Sequence, residues 1–195
     1  MLMSNALSRG KLARAARSLN AGVLVLLTDD ARLPDARAAA LALPPASLVI
    51  VRARDARKRA ERAQALIGVA RKRGLILLIA DDPGLARRLG AHGVHLPEAR
   101  ARDAAPLKAQ NPRWLITASA HSLRAALLPS HADAIFLSPV FATQSHRNAA
   151  PLTSARARMI ARQVKTPLFA LGGITAQNAM LLSGFAGLAA IGALA

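Results

Sequence analysis

The sequence predicts a single-domain α/β protein, a short (β/α)8 TIM barrel spanning 1–195 whose last helix is missing or truncated. Short runs of Val, Ile, Leu and Ala, each bounded by turn residues, occur near 23–29, 48–53, 75–81, 93–96, 114–120, 134–140, 167–173 and 187–193. Such runs are typical of strands buried on both faces. Helix-like patterns separate most of them, and strands joined by crossover helices pair in parallel. No G-x-G-x-x-G or Walker pattern follows the first run, which argues against an open doubly wound sheet.

Taken in order, the first strand leads into Thr28-Asp29-Asp30 and the second carries Arg52 and Arg54 before a helix over Ala56–Arg73. The third strand ends at Asp81, and Asp82-Pro83 supplies the cap and first residue of a helix over Pro83–Leu89. The short fourth strand holds His95, read as a packed barrel histidine, whereas His92 and His131 read as surface residues. Ser119-Ala120-His121 closes the fifth strand ahead of a helix over Ser122–Leu128. The sixth runs into the polar loop Ser138–Arg147 and then a helix over Ser154–Val164. Gly172-Gly173 ends the seventh strand, and Gly192 ends the eighth near the last residue, leaving few residues for a closing helix. The helix-forming stretch Asn5–Leu19, within an expected N-terminal helix over 1–20, can cap the barrel bottom or cover that flank; a homodimer is the other means of covering it.

Composition supports this outline. A length of 195 residues suits one domain and falls below the roughly 250 residues of a full barrel. With 53% hydrophobic but only 3% aromatic residues, the core has to be packed by Ala, Leu, Val and Ile. The absence of cysteine excludes disulfides, thiolate metal sites and cysteine nucleophiles and is compatible with the cytoplasm, where the chain is expected. The apolar run Ala21–Leu27 is too short for a signal peptide and lacks a cleavage site, and no run approaches the ~20 apolar residues of a membrane span. The formal charge of +17 favours polyanions. Its carriers, such as Arg54, Arg57, Lys58, Arg59, Arg62, Arg71, Lys72 and Arg73, have no interleaved aromatics for base stacking and read mostly as solvated helix faces. Phosphorylated metabolites are therefore the expected partners rather than nucleic acid or membrane.

Barrel chemistry gathers at the C-terminal ends of the strands. Gly172-Gly173 and Gly192 lie where barrels bind phosphate through backbone N–H groups; the alternative is a strand-to-helix turn that needs positive φ. Thr143, Ser145, His146 and Arg147 offer hydrogen-bond donors to phosphate oxygens. Alternation places Arg52 and Arg54 on one face of the second strand, where both can clamp an anion; the alternative is that they are exposed. Asp81 is the candidate metal ligand, and His121 with Ser119 are the candidate catalytic residues, the imidazole suited to proton transfer near neutrality. No histidine and carboxylate spacing matches a zinc site.

Leu26-Leu27-Thr28-Asp29, Val51-Arg52-Ala53-Arg54, Leu78-Ile79-Ala80-Asp81, Gly90 to Leu96, Ser119-Ala120-His121-Ser122, Ser138 to Thr143 and Ala170 to Ile174, in this order and spacing, resemble the thiamine phosphate synthase and thiazole tautomerase superfamily over nearly the whole chain. The resemblance implies a barrel that joins a hydroxymethylpyrimidine diphosphate to a thiazole phosphate with release of diphosphate. Its alternatives are a metal-independent thiazole phosphate tautomerase using His121, or a non-catalytic phosphate-ligand binder. It assigns diphosphate to Arg52 and Arg54, where Arg54 replaces the family's lysine, and Mg²⁺ to Asp81. Arg100 stands where a second metal carboxylate belongs, His146 where a lysine belongs, and Gly192 where a serine belongs. These departures spare the thiazole-phosphate half of the site more than the metal-diphosphate half.

Overall fold

Side chains alternate across each strand, and because both faces are apolar every strand has to be covered twice. The computed structural model, which describes residues 23–30, 33–129, 131–143 and 150–190, meets this requirement with a closed parallel barrel in sequential strand order. The strands are β1 (Val23–Leu27), β2 (Leu48–Val51), β3 (Ile76–Ala80), β4 (Gly93–Leu96), β5 (Leu115–Ala120), β6 (Ala134–Leu137), β7 (Leu168–Leu171) and β8 (Gly187–Ala190). Val25 pairs with Leu48 of β2 on one side and Ala189 of β8 on the other, which closes the ring.

One set of residues fills the barrel: Val25, Leu27, Leu48, Ile50, Leu78, Ala80, Ala134, Phe136, Phe169 and Ala189. Their neighbours in the strands, such as Leu26, Val49, Val51, Leu77, Ile79, Val94 and Ile116, pack outward under the helices. Phe136 is fully buried; its ring stacks on Phe169 at 5.1 Å and lies nearly perpendicular to His95 at 5.1 Å. These rings supply the interior volume that an aliphatic set alone would leave unfilled. Gly93 has φ +154, and a Cβ there would overlap the Leu115 backbone, so β4 and β5 meet at this point only because the residue is glycine.

The helices follow from their caps. In α2 (Ala56–Arg73), Asp55 accepts from the Lys58 N–H at 2.8 Å, and Gly74 ends the helix at φ 63. In α3 (Pro83–Leu89), Asp82 accepts from the Leu85 N–H at 2.8 Å with Pro83 in the first turn and Gly90 closing at φ 62, as the sequence indicates. The expected helix over Ser122–Leu128 is shorter, α5 (Leu123–Ala126), because Ser122 is its cap. The helix before β7 is α6 (Ser154–Gln163). Two further helices had no separate expectation: α1 (Ala36–Leu41), capped by Asp35, and α4 (Ala104–Gln110), which continues a 3-10 turn over Glu98–Asp103. The helix expected over Asn5–Leu19 and the segment after β8 lie outside the described residues.

β1 and β2 stop short of their expected ends, where a side chain replaces the ladder at the mouth. After the Thr28 N–H donates to the Ile50 carbonyl at 3.0 Å, the Thr28 hydroxyl accepts from the Arg52 N–H at 2.8 Å and donates to the Arg52 carbonyl at 2.7 Å. This pair of bonds clamps β1 to the chain leaving β2. At the opposite end, Lys108 donates to both Asp133 oxygens at 2.9 Å and to the Trp114 carbonyl at 2.7 Å, while Asp133 also accepts from the Ile116 N–H at 2.8 Å. That knot ties the start of β5 to the start of β6, away from the mouth.

Candidate functional site at the barrel mouth

Arg52 follows the inward-facing Leu48 and Ile50 in the alternation of β2. Its charge reaches His95 inside the barrel, where burial first and Arg52 second lower the imidazole pKa to about 4. Arg54 does not share this position. The strand ends at Val51, the Thr28 clamp takes the backbone of Arg52, and Arg54 is exposed on the loop beyond. The expectation that alternation carries both arginines into the mouth is corrected at this point, because alternation holds only while the ladder does.

Two other arginines read as solvated helix face are not solvated. Arg59 and Arg62 of α2 have side chains only 16% and 19% exposed. Arg59 donates to the Ala53 carbonyl at 3.3 Å and lies 3.5 Å from Asp82, and its Nε is buried without an acceptor among the described residues. Arg62 pairs with Asp30 at 2.9 Å and reaches the Arg52 carbonyl at 3.5 Å. The sequence carries a signal for this: positions 59, 62, 63, 66 and 70 follow helical spacing, and Ala63, Leu66 and Ala70 form the buried stripe of α2.

Just after β3, Asp81 has φ 54, and one of its oxygens accepts from Arg100 Nη1 at 2.6 Å, while Arg100 Nε donates to Asp103 at 2.8 Å. The bond to Asp103, with the charge and bond of Asp81, raises the guanidinium pKa above its ordinary value against partial desolvation. The other carboxylates here are also engaged. Asp29 lies 3.9 Å from Arg52, Asp82 caps α3 and faces Arg59, and Glu98 accepts from the His121 N–H at 2.7 Å.

A Mg²⁺ site takes oxygen ligands, usually one or two carboxylates with waters and substrate phosphate. The donor set at Asp81 is a carboxylate already carrying a guanidinium. It does not fit Mg²⁺.

The wall formed by β4 and β5 carries histidines and hydroxyls. Ser119 of β5 bonds to His95 Nε2 at 2.9 Å, and His95 Nδ1 meets the Thr117 hydroxyl at 2.8 Å. His121 is exposed, and its Nδ1–H donates to the Ser138 carbonyl at 2.7 Å, which fixes the ring against the loop after β6. His92, also exposed, accepts from the Leu77 N–H at 3.0 Å. Thr143 lies in the loop after β6, whereas Ser145, His146 and Gly192 lie outside the described residues.

Gly172 and Gly173 have φ +95 and +65. A Cβ on Gly172 would come within 2.9 Å of Pro139 Cα, and one on Gly173 within 2.8 Å of Phe141 Cβ. Phe141 N–H donates to the Gly172 carbonyl at 3.1 Å, and Asn178 Nδ2 to the Gly173 carbonyl at 2.7 Å. Both glycines are therefore needed for the turn and for its seat on the loop after β6, and that contact brings the two loops to one place in the mouth.

Comparison with known proteins agrees with this arrangement. The model of the thiamine monophosphate synthase family matches residues 23–194. A putative thiamine-phosphate synthase 2 of Aquifex aeolicus is 36% identical over 115 residues, covering 58% of this chain and 61% of that protein. A thiamine-phosphate synthase of Laribacter hongkongensis is 32% identical over 155 residues, covering 76% of this chain and 74% of that one. The solved thiamine phosphate pyrophosphorylase of Pyrococcus furiosus superposes with a TM-score of 0.72 at 26% identity, over 89% of this chain and 87% of that one. An aldolase of Escherichia coli, at 12% identity and a TM-score of 0.60, shares the fold alone. With its closed barrel and a family match running from β1 through β8, the chain belongs to the thiamine monophosphate synthase family.

Proposed function

We propose that the chain acts in thiamine biosynthesis by joining a hydroxymethylpyrimidine diphosphate to a thiazole phosphate. The observation that carries this reading is Arg52 at the end of β2, paired with Asp29 and within electrostatic reach of His95, with Arg62 reaching its carbonyl. The C–O bond to diphosphate breaks with its electron pair leaving on oxygen, and the thiazole nitrogen then donates its lone pair to the pyrimidine methylene carbon. No proton moves in this step. Guanidinium groups aimed at the leaving diphosphate stabilise the charge that develops on it, while the barrel holds the two reactants together.

The thiazole phosphate is assigned to the other half of the mouth, where backbone N–H groups around Gly172 and Gly173 and the hydroxyl of Thr143 can donate to phosphate oxygens. Ser145, His146 and Gly192 belong to the same proposal on sequence grounds. No described helix is long and apolar enough to cross a membrane, and the absence of cysteine suits a cytoplasmic enzyme.

A second reading, thiazole phosphate tautomerase, is favoured by the His121 ring fixed to the Ser138 carbonyl and requires no metal. One experiment separates the two. Both synthetic substrates are supplied in EDTA and in Mg²⁺, and thiamine phosphate and diphosphate are quantified. Their joint appearance in EDTA supports condensation by guanidinium groups. Interconversion of thiazole isomers without condensation, abolished in His121→Ala, supports the tautomerase. Neither reaction sinks both.

A further inference from the structure

The barrel interior contains a polar line that the proposed reaction does not use. Thr117 is fully buried, His95 is 5% exposed, and Ser119 above them is half-buried at the mouth. The protons of this line can be assigned by elimination. Buried His95, its pKa lowered to about 4, is neutral near pH 7, so one ring nitrogen donates and the other accepts. The Thr117 hydroxyl has a single hydrogen-bond neighbour among the described residues, His95 Nδ1 at 2.8 Å. If Nδ1 carried the hydrogen, the Thr117 proton would be a buried donor without an acceptor, at a cost that native interiors avoid. Thr117 therefore donates to Nδ1, and the ring hydrogen sits on Nε2. That nitrogen donates to the Ser119 oxygen at 2.9 Å.

The serine is then constrained. Its oxygen is occupied by the Nε2–H, and its own hydrogen has no acceptor among the described residues. We infer that His95 is a positioning residue that holds Ser119 as an obligate hydrogen-bond donor to an anionic oxygen of the ligand held by Arg52. Thr117 sets the tautomer, the Phe136 ring packs nearly perpendicular to the imidazole at 5.1 Å, and Ser119 presents one proton to the mouth. Ser119 on this account is neither nucleophile nor base. The nature of the ligand rests on the proposed activity; the tautomer does not.

The experiment uses the full chain. Two-bond ¹H–¹⁵N correlation of the histidine rings, with the His95 signals assigned by their loss in His95→Gln, is expected to show a neutral ring with hydrogen on Nε2 from about pH 6 to pH 8, above its lowered pKa. A hydrogen on Nδ1, or a charged ring, overturns the inference. Binding of inorganic diphosphate is then measured by calorimetry. Ser119→Ala and His95→Leu are each expected to weaken it by about tenfold, the scale of one hydrogen bond to a charged group, and the double variant to lose no more than either single. His95→Gln, whose amide N–H replaces the ring donor, is expected to retain most of the affinity. Additive losses, or wild-type affinity in a folded His95→Leu, overturn the inference. If His95→Leu fails to fold, Thr117→Val serves instead: it removes the donor to Nδ1 and is expected to shift the ring signals toward the other tautomer and lower affinity together, whereas unchanged signals overturn the inference. Absence of diphosphate binding by the unmodified protein overturns the ligand assignment along with the proposed activity, whereas binding with the wrong tautomer overturns this inference alone.

Discussion

Arg100, in the turn after β4, donates to Asp81 at 2.6 Å, so the end of the neighbouring β3 holds a fixed organic cation. Mg²⁺ is therefore expected to leave the unmodified protein unchanged: anion affinity and thermal midpoint should be the same in EDTA and in millimolar Mg²⁺. Arg100→Asp removes the guanidinium and adds a carboxylate beside Asp81, and it should give measurable Mg²⁺ binding by calorimetry and anion affinity that depends on the metal. A wild-type protein that binds diphosphate only with Mg²⁺ would contradict this account of the site.

The Asp81–Arg100 pair itself is half-exposed, with both side chains at 42%. Its contribution to stability is correspondingly small. Arg100→Ala should cost less than about 1 kcal/mol in urea unfolding while weakening diphosphate binding clearly, so the two measurements should part company.

His95 makes stability depend on pH. Its folded pKa, about 4, lies below its ordinary 6.5, so between these values the unfolded chain binds more protons and stability rises with pH. The contribution is fully present above pH 6.5 and is lost as pH falls toward 4, to an extent on the order of 3 kcal/mol. Urea unfolding of the wild type and of His95→Gln at pH 7 and pH 4.5 checks this: the variant should show a smaller loss on acidification, and equal losses would show that His95 is not the group responsible.

Gly173 occupies a positive φ and faces Phe141 at close range. Gly173→Ala should destabilise the barrel by about 1–3 kcal/mol and weaken inorganic phosphate binding at the same time, because the loops after β6 and β7 meet there. Phosphate titration alongside thermal unfolding reads both effects.

Asp133→Ala serves as the contrasting variant. It removes the acceptor of Lys108 and of the Ile116 N–H at the barrel bottom. A loss of roughly 1–3 kcal/mol with diphosphate affinity unchanged is expected; a change in affinity would mean that the two ends of the barrel are coupled.

The barrel was legible in the sequence because its strands are apolar on both faces, as Leu48-Val49-Ile50-Val51 illustrates, and because Asp55, Asp82, Gly74 and Gly90 punctuate the helices. Strand ends were less legible. They depend on where a side chain such as Thr28 takes over from the backbone, a three-dimensional event between residues 24 positions apart. The short helices over Ala36–Leu41 and Ala104–Gln110 carry too few turns for a clear period. Within the site, the places of His95 and Asp82 followed from local sequence. Arg54 was misplaced by extending an alternation past the end of its strand, and Arg59 and Arg62 by treating charge as exposure although they flank the buried stripe of α2. The contact of Arg100 with Asp81 depends on how the turn after β4 folds back toward β3, which no local pattern encodes.

Asp29, Asp30, Asp81 and Asp82 each face an arginine of the mouth: Arg52, Arg62, Arg100 and Arg59 respectively. A free arginine surrenders about 2 kcal/mol of rotamer entropy when it is ordered. Here much of that ordering is completed as the chain folds, before any ligand arrives. An incoming anion meets guanidinium groups already aimed and locally neutralised, and it has to displace carboxylates to reach them. Such a mouth discriminates by charge density, rewarding a compact polyanion over a singly charged competitor that cannot outbid an aspartate already in place.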